Sequence, residues 1–405
     1  MAGTSIAALG LALLAAAGCS PAETPGPASS AEPEEAIASA SFEPPVPWSH
    51  PIDDYLAAGY ARHHGLFRKG IHDLVVHEGR LYLAYGDAQH NLGDAVPIAL
   101  RYLASPDDPT PVSELVTDEH EIRRFRLLGS DLVAVGMDAV GQGYVGNLYV
   151  RGAGADARWR KRSALAGGVH VHDVAEHRGF VYAVGSGADD AAEWQAGRHF
   201  AYLWRAPGLD GPFETVQRLG NRPGRYARFV RLLSLGDVLY VFGDEGRGME
   251  VERVANLRLD GADLAPLPAH HPLAAANVLE ADPLLPGRAL VRGAPSLAEP
   301  LSRAAWEVRE DGGVRELGAL AGRSVVDVYP HPATGEVLFL SEGTAQGPSP
   351  STWDVAISVT RDLVTWTELV RFSSPARPES VAWWRGRIVY GTWDGEIWQA
   401  PARRP

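Results

Sequence analysis

The feature that most constrains this chain is a strand that it writes seven times. A turn glycine opens a run of β-branched and aromatic residues, and the run usually closes on another glycine. The copies are GRLYLAYG from Gly79, GSDLVAVG from Gly129, GFVYAVG from Gly179, GDVLYVFG from Gly236, GRALVRG from Gly287, GEVLFLSEG from Gly335 and GRIVYG from Gly386. The glycines recur at intervals of 48 to 57 residues. Among 44 glycines such spacing could be accidental, but the same strand after each is not.

A period near fifty built from short strands is the mark of a β-propeller. Before each glycine lies an inner strand, such as IHDLVVH, VHDVAEH or SVAWW. After it come a polar connection, a third strand (PIALRYL, FAYLWRA, EIWQAP) and, past an Asp- and Gly-rich turn, a fourth. The chain stops after the third strand of the seventh period, which would leave an unpaired edge. Residues 62–69, RHHGLFRK, are expected to fill it. The predicted fold is therefore all-β: a seven-bladed propeller over residues 48–405, its last blade closed by N- and C-terminal strands. Residues 53–64 read as one or two helical turns, and the proline-bearing ANVLEADPLLPG fits the strand pattern least well.

A net charge of −13 argues against a phosphate-binding surface, so nucleic acid is excluded as a partner. Part of that charge belongs to the first 46 residues, which hold five Glu and no Lys or Arg. The chain carries one cysteine, and its place is informative. Cys19 follows an apolar run from Ile6 to Ala17 that is too short to span a bilayer and reads as a signal-peptide core. With Ala16, Ala17 and Gly18 before Cys19, the segment resembles a bacterial lipoprotein precursor. That resemblance implies cleavage after residue 18, a lipid anchor on the Cys19 sulfur and, with Ser20 following, outer-membrane sorting. Residues 19–47 are rich in Pro, Ala, Ser and Glu and read as a disordered tether. The expected location is the cell envelope, on the periplasmic or outer surface, as a monomer.

In a propeller the inner strands begin on the face that carries the connections between second and third strands, and here those connections are long. Counting back seven residues from the motif glycines reaches His72, His172, Glu280 and Glu379, with Asp327 at the corresponding place in the sixth period. Asp73 and Asp173 follow the two histidines. The predicted ligand-binding set is His72, His172, Asp73 and Asp173, with Asp87, His90 and Asn91 from the first long loop. Glu280, Glu379 and Asp327 are the candidates for acid–base work. Imidazole and carboxylate could hold a divalent cation in the central channel, with His72 and His172 as its ligands. Asp73 and Asp173 have a second reading, in which they bond to backbone amides between blades.

Two hairpins, SVTRDLVTWTELV (358–370) and YLWRAPGLDGPFETV (202–216), resemble those of sialidase-type and glycoside-hydrolase-type propellers. Two functions follow as expectations. The first is a binding or scaffold module that presents its long-loop face to a glycan, peptide or envelope partner. The second is a glycan-active enzyme, a glycoside hydrolase or polysaccharide lyase.

Overall fold

The computed structural model describes residue 37 and residues 41–63, 69–87, 96–138, 143–154, 156–220, 222–248, 250–261, 263–298, 303–317, 322–343 and 352–401. Cys19, His90 and Asn91 lie outside the described residues. The compact unit runs from Glu35 to Pro405.

β1 (Val46–Ser49) and α1 (Asp53–His63) precede a succession of antiparallel meanders. The first meander is β2 (Asp73–His77), β3 (Arg80–Ala84), β4 (Ala99–Ser105) and β5 (Asp108–Val116). The second is β6 (Glu121–Leu128), β7 (Asp131–Met137), β8 (Val145–Arg151) and β9 (Trp159–Ala166). β10 (Gly168–His177), β11 (Phe180–Gly187), β12 (Phe200–Ala206) and β13 (Glu214–Leu219) follow, with the short α2 (Ala191–Gln195) between β11 and β12. Next come β14 (Tyr226–Leu235), β15 (Val238–Arg247), β16 (Glu250–Val254), β17 (Leu257–Asp260) and β18 (Asp263–Pro266), where β16 extends the far end of β15. The rest are β19 (Asn277–Leu285), β20 (Arg288–Ala294), β21 (Ala304–Arg309) and β22 (Val314–Glu316); β23 (Arg323–Pro330), β24 (Val337–Gly343), β25 (Trp353–Thr360) and β26 (Thr367–Ser374); and β27 (Pro378–Trp384), β28 (Arg387–Thr392) and β29 (Ile397–Pro401).

Hydrogen bonding joins these strands into six sheets. One of them, eight-stranded, is the second and third meanders linked at a single bridge between His170 and Met137. The opening strands β2, β6, β10, β14, β19, β23 and β27 each pack against the next, and β27 packs against β2. The motif glycines explain the tight turns between first and second strands. Gly79, Gly179 and Gly386 have φ of 73°, 78° and 77°, and the preceding Glu78, Arg178 and Arg385 are also left-handed. Two consecutive positive φ angles make the type I′ turn, whose twist matches that of its flanking strands.

β1 pairs antiparallel with β29, Val46 opposite Gln399 and Pro47 opposite Trp398. The closing strand therefore exists, but it is 46–49 and not 62–69. Proline is tolerated there because an outer strand needs hydrogen bonds on one side only. Residues 53–63 are drawn into a helix of 11 residues, longer than the sequence suggested. Asp53 and Asp54 favour its positive N-terminal end, and buried Ile52 and Tyr55 hold it to the core. β1 also begins inside the segment read as tether. The lead-in is fastened further back, where the buried Ile37 donates its N–H to Glu336 (2.6 Å) and Phe42 meets Trp383 edge-on at 5.8 Å.

The apolar core is a series of layers between neighbouring sheets. Trp204, fully buried, stacks on Tyr202 and donates from Nε1 to the Ala166 carbonyl, tying the third meander to the second. Trp384 does the same between β27 and the first meander, donating to Gly79 O at 2.9 Å.

Candidate functional site

Six of the seven opening strands slip register within their first six residues, β6, β10, β14, β19, β23 and β27, and β10 and β19 slip twice. Each slip is a β-bulge, a local insertion that re-aims a side chain. The side chains at these bulges meet at the hub.

Asp73 Oδ2 accepts the N–H of Phe125 at 2.9 Å, Asp173 Oδ2 that of Leu232 at 3.1 Å, and Asp327 Oδ2 that of Val381 at 2.8 Å. Each bond runs from one opening strand to another. In β27 the equivalent residue is Ser380, whose hydroxyl donates to the Ile71 carbonyl at 2.7 Å. The repeated His-Asp of the sequence thus carries a fastening in its second residue, the alternative reading of these aspartates.

Four arginines complete the hub. Arg126 grips Asp173 through two bonds of 2.7 and 2.8 Å. Arg124 reaches Asp282 (2.7 Å) and Glu280 (2.9 Å), Arg231 reaches Glu280 (2.6 Å), and Arg292 reaches Asp282 (2.8 Å) and Asp327 (3.4 Å). Burial alone would raise the pKa of Glu280, but Arg231 and Arg124 outweigh it and hold the carboxyl well below its usual range. Asp173 and Asp282 are lowered by the same contest of burial against arginine. Asp327 goes the other way: burial, with Asp73 and Asp282 nearby, overcomes Arg292 and pushes it up to about 8.

His72 bridges two strands, with Nδ1 3.0 Å from Glu379 Oε2 and Nε2 3.1 Å from Gly86 O. His172 is buried, 3.3 Å from Ser186 Oγ, and burial together with His170 and Arg228 drives its pKa well below normal. His170 touches the same hydroxyl and pairs with Asp138 at 2.8 Å, which outweighs its burial and raises its pKa. Asp87 is buried, its N–H donating to His120 O. Among the described residues, no three or more His, Cys, Asp or Glu side chains converge as a metal site.

A cavity of about 420 Å³ opens where the inner strands begin. Of the sequence candidates, His72, Asp73, Glu280, Asp327 and Glu379 stand on its wall, and His172, Asp173 and Asp87 do not. Of this wall, sequence reasoning missed Arg292, Arg303, Arg323 and Arg377 and the half-exposed Trp393. Counting back to one ring of positions stops short of them. Arg377 precedes Glu379 by two residues and Arg323 precedes Asp327 by four, so both belong to a second, wider ring. Arg377 grips Glu342 (2.7 and 3.0 Å) and Arg323 reaches Asp354 (2.6 Å). The carboxylates of the wall are thus mostly engaged by cations. That arrangement suits recognition of charge and shape better than proton transfer.

No protein-family model matches the chain, and no curated protein matches it. Among solved structures it is similar to virginiamycin B lyase from Staphylococcus aureus, at 10% identity and TM-score 0.49 over 89% of this chain and 99% of that one. It is also similar to the β-propeller domain of the trilobed protease from Pyrococcus furiosus, at 9% identity and TM-score 0.47 over 84% and 95%. The GH74 enzyme of Niastella koreensis matches at 12% identity and TM-score 0.49, over 82% of this chain and 52% of its own. The chain is an all-β protein whose structural neighbours include β-propellers.

Proposed function

We propose that this chain is a seven-bladed β-propeller carried in the bacterial envelope as a lipoprotein anchored at Cys19, and that it acts as a binding module. Its ligand, a glycan, a peptide or an envelope partner, enters the cavity at the mouth of the hub. The blade count rests on seven opening strands packed in succession, with β27 returning to β2. No helix among the described residues is long and apolar enough to cross a membrane.

The observation that carries the binding reading is the state of the wall carboxylates. Glu280 is shared by two arginines, Glu342 is gripped by Arg377, and Glu379 meets His72. A pair of carboxyls set for hydrolysis needs one ionised and one neutral member facing an open bond. Here burial raises two wall carboxyls, Asp327 to about 8 and Asp73 in the same direction, and each is fastened to a backbone N–H, of Val381 and Phe125. The raised carboxyl of Asp327 is what favours the second reading, a glycan-active enzyme with Asp327 as its acid.

Calorimetric titration of the full chain with neutral and charged oligosaccharides and short peptides tests the module. Saturable binding with no turnover of the bound ligand is expected, and product release that is lost in Asp327→Asn would instead establish the enzyme. Mass spectrometry of the exported protein tests the anchor, which requires a diacylglyceryl mass on Cys19 that disappears in Cys19→Ser.

A further inference from the structure

Seven arginines stand on the cavity wall, and six of them have a carboxylate partner. Arg124 and Arg231 share Glu280, Arg292 has Asp282, Arg323 has Asp354, Arg377 has Glu342, and Arg123 lies 3.5 Å from Glu121. Arg303 is the exception: among the described residues it makes neither an ion pair nor a hydrogen bond. It stands exposed at the rim, just before β21. Its charged neighbours are Arg377 and Glu342, and Glu342 is already gripped by Arg377. The rim therefore carries an uncompensated guanidinium next to a compensated one. Partial burial of its guanidinium against the wall, together with the adjacent Arg377, lowers its pKa although the residue as a whole is exposed.

The same wall carries an exposed aromatic. Trp393 is 37% exposed, and its backbone N–H donates to the Arg377 carbonyl, so it stands next to the same arginine. An exposed indole against a cation-bearing wall presents a flat face to a ligand and a polar anchor at its edge.

We propose that the cavity takes a ligand bearing a carboxylate, which pairs with Arg303 while a flat apolar face of the same ligand lies on Trp393. The guanidinium fork matches a carboxylate bidentately, so the missing seventh partner is supplied by the ligand. This rests on the mouth cavity being a binding site, and it names what that site selects. Two sources share the chemistry, an acidic saccharide and the C-terminus of an apolar peptide.

The test is titration of the full chain with matched pairs: methyl glucuronate against its amide, and acetyl-Ala-Phe against its amide. With the saccharide taken as the methyl glycoside of glucuronic acid, its carboxyl free, at least one acid should bind tenfold or more tighter than its amide, and the pair that does so identifies the source. In Arg303→Gln the preference should vanish while the affinity for the amide stays within twofold and the melting temperature is unchanged. Trp393→Ala should weaken acid and amide alike. Equal binding of acid and amide, or a preference that survives Arg303→Gln, overturns the inference and leaves the binding reading intact. Failure of all four probes and of the wider ligand panel overturns both.

Discussion

Asp173 concentrates the hub's chemistry in one side chain. It has no exposed surface, accepts the N–H groups of Leu232 and Val174, and holds Arg126 through both oxygens. Asp173→Ala would leave two backbone donors without their acceptor and a largely buried guanidinium without its carboxylate, a change that costs about 3–5 kcal/mol when a buried pair is broken from one side. Denaturant unfolding measures it, and a loss under about 1 kcal/mol would show the pair to be solvated. Asp327 makes the complementary case. Its carboxyl is raised in the folded state to about 8 from an ordinary value of 3.8. Between those values the folded chain holds a proton that the unfolded chain has released, so the group's contribution to stability falls as pH rises from about 4 to about 8. Asp327→Asn keeps an acceptor for Val381 and removes the titration. Its melting temperature, subtracted from that of the parent at each pH, should show the parent losing ground steadily across that window. A flat difference would refute the raised value. His172 corrects an expectation: a channel-mouth position should be solvated, yet this ring is buried against Ser186. His172→Ala should cost about 1–3 kcal/mol, as for a buried polar group whose partner is left alone.

Among the elements, β1 and the inter-sheet tryptophans determine whether the succession of sheets holds. Trp384 is 1% exposed and donates to the Gly79 carbonyl, so Trp384→Ala should cost about 3–5 kcal/mol through lost apolar burial and the cavity left behind. Removing residues 41–50 would bare the outer edge of β29. Light scattering should then report association at concentrations where the parent stays monomeric, since an exposed edge is a template for pairing. The repeated strands were legible because type I′ turns demand glycine and β-branched runs follow it, as at Glu78-Gly79 and Arg178-Gly179. The closing strand was not. VPWS is four residues with a proline, and its place opposite Gln399 and Trp398 is fixed by partners more than three hundred residues away. RHHGLFRK attracted attention only through proximity to the first repeat.

For the molecule as a whole, the sequence showed which positions face the hub but not what they do there. His72, Glu280, Asp327 and Glu379 do reach the cavity wall. Their partners could not be read, because Arg124, Arg231 and Arg292 come from other repeats and the bulges that aim them leave no mark on the pattern of polar and apolar residues. A lattice of four cations and five carboxylates so assembled is largely buried, even where it reaches the cavity wall, and such pairs are screened less than surface ones. The melting temperature should therefore change little between about 0.05 and 0.5 M salt, whereas a hub wetted by bulk water would respond as exposed pairs do.

The lead-in at Ile37 and Phe42 has a mechanical consequence. Any pull arriving along the chain from residue 36 meets the grip on Glu336 and the wedge against Trp383 before it reaches Val46. Tension is therefore discharged into the sixth and seventh repeats, and the short strand that shuts the molecule is spared the load.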